Sequence, residues 1–177
     1  VLANAQFIKG MPGRKTDVGD AAWVAQLLAH GLIRASFVPP EPIQELRALT
    51  RQHKQLVREQ TQHVQRIQKL LEDANLKLRC VLTDIVGVSG RAILDALVAG
   101  ETDPLKLASL ARRQVRATRA ELAEALTGKI LPRHRILLKV HLQQVDALKL
   151  GQLTLEQELT QMLLPFRHQQ ELLITIP

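Results

Sequence analysis

Two carboxylates three positions apart, Asp17 and Asp20, are the residues of this sequence best suited to chemistry. They follow a Pro-Gly pair and open an amphipathic run, which predicts a helix over residues 16–31 that ends at Gly31. On a helix, residues i and i+3 share one face, about 5–6 Å apart. Carboxylate oxygens are the ligands that Mg²⁺ prefers, and two such ions suit in-line displacement at a phosphodiester. The pair is therefore a candidate magnesium site.

The same two residues also have a purely structural interpretation. Asp is favoured at helix N-caps, where its carboxylate accepts hydrogen bonds from free backbone N–H groups. Acidic side chains in the first turn of a helix also interact favourably with the helix dipole. From the pair alone, both interpretations stay open.

The sequence around the pair resembles a known family. Residues 11–23 read MPGRKTDVGDAAW, and further blocks of the resemblance are LLAHGLIRASFVPP at 27–40, LLEDAN at 70–75, GVSGR at 87–91, GETDP at 100–104, EALTG at 124–128 and TIP at 175–177. Together these blocks are similar to the DEDD-type transposases of bacterial insertion sequences, whose members act as RNA-guided DNA recombinases. The resemblance extends over nearly the whole chain.

The resemblance implies an RNase H-like domain in which four acids bind Mg²⁺, the last two at the positions of Asp17 and Asp20. The first Asp and the Glu of that set would precede this sequence, and a catalytic Ser would follow it in a later domain. The resemblance does not assign that role to Ser36, Ser89 or Ser109. The sequence is therefore expected to be an internal fragment that is inactive alone, from a protein of the bacterial cytoplasm, associated with the nucleoid. DNA and a guide RNA are the implied partners.

Composition narrows the possible functions. Lys and Arg outnumber Asp and Glu by 24 to 17, and the resulting net charge of +7 favours polyanionic partners. Aromatic content is only 2%, which argues against base-stacking platforms. The single cysteine, Cys80, excludes an internal disulfide framework, and the six histidines lack zinc-site spacing. No apolar run approaches the length of a membrane span.

Two long helices are predicted, over residues 41–79 and from about 133 to 164. The first repeats apolar residues at heptad-like spacing, with His53, Gln60 and His63 as polar residues in the seam. The two helices suit an antiparallel coiled-coil arm, and the resemblance implies that such an arm joins subunits into a homo-oligomer. The alternative is a long core helix within a single domain.

Residues 80–132 are predicted to form a compact basic segment. A helix over residues 104–127 would carry Arg112, Arg116 and Arg119 at i, i+4 and i+7, with Arg113 beside them. Arginine suits phosphate because its planar fork donates two hydrogen bonds. Arg14 and Lys15 adjoin the acid pair and are a second candidate for phosphate contact. In each case the alternative is a solvated charged surface.

The sequence as a whole predicts a mainly α chain in which the C-terminal end of an RNase H-like α/β domain precedes long coiled-coil-like helices and a small helical segment. The expected divisions are a nuclease part at 1–40, the first arm helix at 41–79, the basic segment at 80–132, the second arm helix at 133–170 and the start of a transposase domain at 171–177. The expected function is Mg²⁺-dependent DNA cleavage and rejoining in transposition. The alternative is a non-catalytic helical module for nucleic-acid binding or oligomerisation.

Overall fold

The computed structural model describes residues 3–4, 8, 20–112 and 115–175, which are mainly helical and contain no β-strand. The expectation of a mainly α chain is confirmed for this part. Ala3 and Asn4, the first described residues of the part expected to end an RNase H-like domain, are not in a strand. The backbone N–H of Ile8 donates to the carbonyl of Asn4 at 3.2 Å, which is a helical hydrogen bond.

The chain divides into two compact units, Val1–Glu45 and Leu46–Pro177. In the first unit, helix α1 (Asp20–Ala29) ends as predicted at Gly31, which has a φ of +69°. The N–H of Gly31 donates to Leu28 at 3.0 Å and that of Leu32 donates to Leu27 at 2.9 Å, so the helix ends in a Schellman motif. Residues 16–19 of the predicted helix lie outside the described residues. An irregular proline-rich stretch leads on to residue 40.

Helix α2 (Glu41–Asp73) begins at the end of the first unit, with Pro42 in its first turn as predicted. The prediction that this helix runs to residue 79 is wrong, because it ends at Asp73. Asn75 adopts a left-handed conformation with a φ of 58°, and the N–H of Leu76 donates back to Leu71 at 2.8 Å. Asn tolerates this conformation better than most residues, which explains why the chain leaves the helix there.

In the second unit, helix α7 (Pro132–Leu163) runs antiparallel to α2, as three polar side-chain pairs between them show. His53 Nε2 lies 3.0 Å from Glu156 Oε1, Gln60 accepts from Gln152 at 2.7 Å, and His63 Nδ1 lies 3.1 Å from His141 Nδ1. The polar residues of the predicted seam therefore face polar partners on the opposite helix.

Short helices fill the second unit between and after these two long ones. They are α3 (Leu78–Val81), α4 (Val88–Ala99), α5 (Pro104–Ser109), α6 (Arg119–Ala125) and α8 (Arg167–Ile174), the last preceded by the 3₁₀ turn Leu164–Phe166. The core of the unit lies where these helices meet the C-terminal end of α2 and the N-terminal half of α7. Its fully buried side chains include Ile67, Leu78, Ile93, Leu94, Leu107, Leu122 and Leu138.

The predicted single helix over residues 104–127 is wrong, since α5 and α6 are separate helices. Asp103 caps α5 by accepting from the N–H of Leu105 at 2.9 Å. Thr118 starts α6 with a capping box, in which its hydroxyl accepts from the N–H of Glu121 while that carboxylate accepts from the N–H of Thr118. The motif Thr-x-x-Glu is a strong signal for the beginning of a helix. A new helix therefore begins at Arg119, and α5 does not continue through the arginine-rich segment.

The buried side chain of His134 connects the N-terminal end of α7 to the C-terminal end of α2. The ring of His134 is 2% exposed, and its Nδ1 accepts from the backbone N–H of Leu131 at 3.3 Å. Its Nε2 lies 2.9 Å from Asp73 Oδ2 and is therefore the nitrogen that carries the proton. Both ring nitrogens are satisfied, which compensates for burying a polar ring.

Among the described residues, no helix combines the length and apolar composition that crossing a lipid bilayer requires.

Candidate nucleic-acid interface

Two adjoining open cavities lie in the second unit. On one side is the stretch from α3 to the first turn of α4, residues 78–90, called the α3–α4 hairpin below, and on the other is the segment that joins α5 to α6. The first, of about 660 Å³, is lined by Ser89, Arg112 and Arg116 among others. The second, of about 650 Å³, is lined by Arg79 and Arg116. The two share Arg116 and one wall, formed by residues 81–83. Three arginines from two separate parts of the chain therefore border one continuous surface, called the arginine surface below.

The α3–α4 hairpin is held in a tight conformation by its glycine at position 90. A Cβ atom at Gly90 would lie 2.2 Å from the carbonyl oxygen of Ile85, which is backbone and cannot move aside. Gly90 is buried in the first turn of α4. The close approach of loop and helix fixes the position of Ser89, the residue before it.

Ser89 connects the hairpin to the arginine-rich segment. Its hydroxyl oxygen accepts a hydrogen bond from the backbone N–H of Arg112 at 3.0 Å. Arg112 also accepts a hydrogen bond at its carbonyl from the N–H of Val115 at 3.1 Å. The hydroxyl of Ser89 thus determines where Arg112 enters the first cavity.

Two carboxylates also line the cavities, and both are already engaged by hydrogen-bond donors. Asp84 Oδ1 accepts from the N–H of Val86 at 3.0 Å. Glu121 Oε2 accepts from the N–H of Thr118 at 2.7 Å and from its hydroxyl at 2.8 Å. These two bonds lower the pKa of Glu121, which therefore stays ionised. The guanidinium groups of Arg79, Arg112 and Arg116 take part in none of the ion pairs among the described residues.

Comparison with known protein families gives a match over part of the chain. Residues 3–76 match the family model described as Transposase, that of the DEDD transposases of the IS110 type. The family resemblance seen in the sequence is confirmed over this stretch. No curated protein and no solved structure shows a significant match to the chain. The transposase match contains Asp17 and Asp20, whereas the arginine surface lies beyond its last residue.

Of the acid pair Asp17 and Asp20, only Asp20 belongs to the described residues. Asp20 is the first residue of α1, while nothing is described of its side chain. Asp17, Arg14 and Lys15 lie outside the described residues. Within the described part of the chain, no three His, Cys, Asp or Glu side chains cluster closely enough to hold a metal ion. Two aspartates provide the hard oxygen donors that suit Mg²⁺, so the chemistry of the pair fits that ion.

The structure brings together only part of the predicted arginine group. Arg112 and Arg116 border the same cavity, although on irregular backbone rather than on one helix face. Arg119 is the exposed first residue of α6 and lines neither cavity, and Arg113 lies outside the described residues. Arg79, on helix α3, also borders the arginine surface, although the sequence did not predict it as a site residue. No local pattern could have found it, because Arg79 and Arg116 are brought together only by the packing of the hairpin.

Proposed function

We propose that this protein acts in the transposition of a bacterial insertion sequence, in which DNA strands are cleaved and rejoined with Mg²⁺. The observation that carries the proposal is the transposase match over residues 3–76, which contains both members of the acid pair. Residues 1–40 would then be the C-terminal part of an RNase H-like nuclease domain. Bound there, Mg²⁺ would neutralise the charge that develops on the scissile phosphate.

In this proposal each member of the site has one role. Asp17 and Asp20 provide carboxylate oxygens to the metal, and Arg14 and Lys15 attract the phosphates beside it. Arg112, Arg113, Arg116 and Arg119 contact nucleic acid further along the chain. The nucleophile is not assigned to any residue of this sequence. DNA is the substrate, a guide RNA is the proposed second nucleic acid, and the bacterial nucleoid is the proposed location.

The arm of α2 and α7 supports a role in assembly. Leu46, Leu49 and Leu56 occupy the seam of α2 but are only half-buried. On α7, Leu150 and Leu153 are 68% and 55% exposed. Two helices alone therefore leave apolar surface uncovered, which a second copy of the chain would cover. We propose a homo-oligomer formed through this arm.

A second candidate function is a non-catalytic helical module for nucleic-acid binding or oligomerisation. The feature that favours it is the place of Asp17 and Asp20 near the beginning of the helix predicted over residues 16–31, where carboxylates stabilise a helix without any metal. In this alternative the arginine surface and the arm would be the functional parts.

The two candidates are separated by replacing the acids with asparagine. Asn caps a helix about as well as Asp but is a much weaker ligand for Mg²⁺. The complete reading frame that contains these residues is assayed for Mg²⁺-dependent recombination of a plasmid carrying the element ends. We expect Asp17→Asn and Asp20→Asn each to lower activity by a factor of about 10² or more, as a loss of several kcal/mol at the transition state implies.

The matched control is Glu45→Gln, which removes an exposed negative charge from the same unit and should leave recombination unchanged. Full activity in both asparagine variants would contradict the proposal and favour the non-catalytic module. Circular dichroism of each variant shows whether the helices are retained.

A further inference from the structure

The arginine surface combines positive charge with a depression large enough to receive a chain of phosphates. Three guanidinium groups, those of Arg79, Arg112 and Arg116, border it, and all three residues are exposed. Each guanidinium presents a planar fork that matches two oxygens of a phosphate. The opposing carboxylates, Asp84 and Glu121, are directed at backbone and hydroxyl donors, so they do not neutralise the arginines through direct contact.

The hairpin adds donors of a second kind to the same surface. Residues 87–89, which line the first cavity, include the N-cap of α4 and its first two residues. Gly87 has no side chain to cap this twelve-residue helix. Backbone N–H groups in the first turn of a helix carry partial positive charge. They reinforce the arginines, which remain the main source of attraction.

The lining also indicates which form of nucleic acid fits. None of the described residues that line the two cavities is aromatic, so unpaired bases would find no side chain among them on which to stack. Helix α3, which carries Arg79, has only four residues and is itself too short to enter a groove and read base edges. Such a surface suits the regular backbone of a duplex, in which bases are already stacked on one another.

We propose that the arginine surface binds the phosphate backbone of duplex DNA, independently of base sequence and without a metal ion. This rests on the proposed function, which already assigns Arg112 and Arg116 to nucleic acid, and deepens it by naming duplex DNA as the ligand of a surface outside the transposase match. Binding at this surface requires neither Asp17 nor Asp20. It adds Arg79 to the proposed DNA-contacting residues. In a transposition reaction the surface would hold a DNA flank.

The test measures DNA binding by the 177-residue chain in the presence of EDTA. Fluorescence anisotropy follows a labelled duplex of about 20 base pairs and arbitrary sequence while the salt concentration is varied between about 0.05 and 0.2 M. In the triple variant, Arg79→Gln, Arg112→Gln and Arg116→Gln, we expect affinity to fall about tenfold or more. The slope of log K against log [salt] should become shallower by about 0.9 for each phosphate that the protein no longer neutralises.

The matched control removes the same number of charges from the exposed surface of α2, by Arg47→Gln, Arg51→Gln and Arg58→Gln. The slope of log K against log [salt] for this control should stay within about 0.5 of the wild-type value. The slope for the Arg79, Arg112 and Arg116 triple variant should differ from the wild-type value by more than about 2. A second duplex of unrelated sequence should bind equally well. Thermal melts of both triple variants confirm that they are folded.

Several results would overturn the assignment. An unchanged slope in the Arg79, Arg112 and Arg116 variant would do so, and so would an equal loss in the α2 control. Tighter binding of single-stranded DNA, or of duplex RNA, would assign the surface to a different nucleic acid. Failure here is distinguishable from failure of the proposed function, because the arginine surface is tested by DNA binding in EDTA, whereas the acid pair is tested by Mg²⁺-dependent recombination.

Discussion

The hydroxyl oxygen of Ser89 accepts a hydrogen bond from the backbone N–H of Arg112, with 3.0 Å between the two atoms. This bond joins residues 23 positions apart in sequence and connects a helix start to an irregular segment. Ser89, which the sequence showed only within the block GVSGR, thus positions one of three arginines. Its contribution can be measured separately from theirs.

Replacing Ser89 with alanine should weaken DNA binding without changing the charge of the surface. One hydrogen bond is worth about 0.5–1.5 kcal/mol, so we expect affinity to fall about three- to tenfold when it is removed. The salt slope should stay near that of the wild type, since no guanidinium is removed. Ser89→Thr keeps the hydroxyl and should bind nearly normally. Equal affinity of the Ala variant and the wild type in anisotropy titrations would show that Ser89 positions nothing.

Gly90→Ala should destabilise the second unit, because the added Cβ would lie 2.2 Å from the Ile85 carbonyl oxygen. Forcing a methyl group against backbone costs about 1–3 kcal/mol or more. Urea unfolding followed by circular dichroism measures the loss.

Gly151→Ala is the matched control for this measurement. Gly151 lies inside helix α7, where alanine is favoured over glycine by about 1 kcal/mol. Its Cβ would lie 3.2 Å from Leu56 Cδ1, the end of a half-buried side chain that can shift. We expect Gly151→Ala to be neutral or stabilising. Equal destabilisation by both substitutions would contradict the close approach at Gly90.

Some features of this fold can be predicted from local sequence signals alone. Gly31 and Pro42 mark helix ends by rules that depend only on neighbouring residues, and the structure has both where they were predicted. The same holds for the extent of helix α7, which was expected from about 133 to 164 and observed at Pro132–Leu163. Periodicity and caps are sufficient for such features.

The arginine surface could not be predicted in the same way. The interval between α5 and α6 contains good helix formers, so its composition predicted one continuous helix. The capping box at Thr118, which marks the beginning of a separate helix, was overlooked. Arg79 joins Arg116 only because the core packs α3 beside the arginine-rich segment. Proximity of this kind depends on tertiary packing, which a single sequence does not show.

The antiparallel arm should lose stability in mild acid. The pKa of His141 is lowered by burial, and further by the nearby charges of His63 and Arg66. A histidine with a lowered pKa in the folded state binds its proton more readily when unfolded, so stability falls as pH drops through the ordinary value of 6.5. Melting temperatures between about pH 8 and pH 5 measure this effect.

His141→Gln should flatten this dependence of melting temperature on pH. The matched control is His168→Gln, a substitution of an exposed histidine on helix α8 that should leave it unaltered. A melting temperature of the His141 variant that falls with pH as steeply as that of the wild type would contradict this account.

His134→Ala should be among the more damaging single substitutions in the second unit. It removes a ring that is 2% exposed and leaves the N–H of Leu131 without its partner. Cavity formation and an unsatisfied donor together predict a loss of about 2–4 kcal/mol in the free energy of unfolding. Asp73→Asn keeps an oxygen that can accept from Nε2, so it should cost less. Equal losses in urea unfolding would show that the charge of Asp73, rather than the buried ring, is what matters.

The central claim is that Asp17 and Asp20 bind a divalent metal ion, and titration with Mn²⁺ tests it most directly. Mn²⁺ takes the same oxygen ligands as Mg²⁺ and loses its sharp electron paramagnetic resonance signal when bound. The protein from the complete reading frame is compared with its Asp17→Asn, Asp20→Asn double variant. We predict that the wild type removes free Mn²⁺ from solution at a site that the double variant lacks. Identical titration curves for the two proteins would contradict the account.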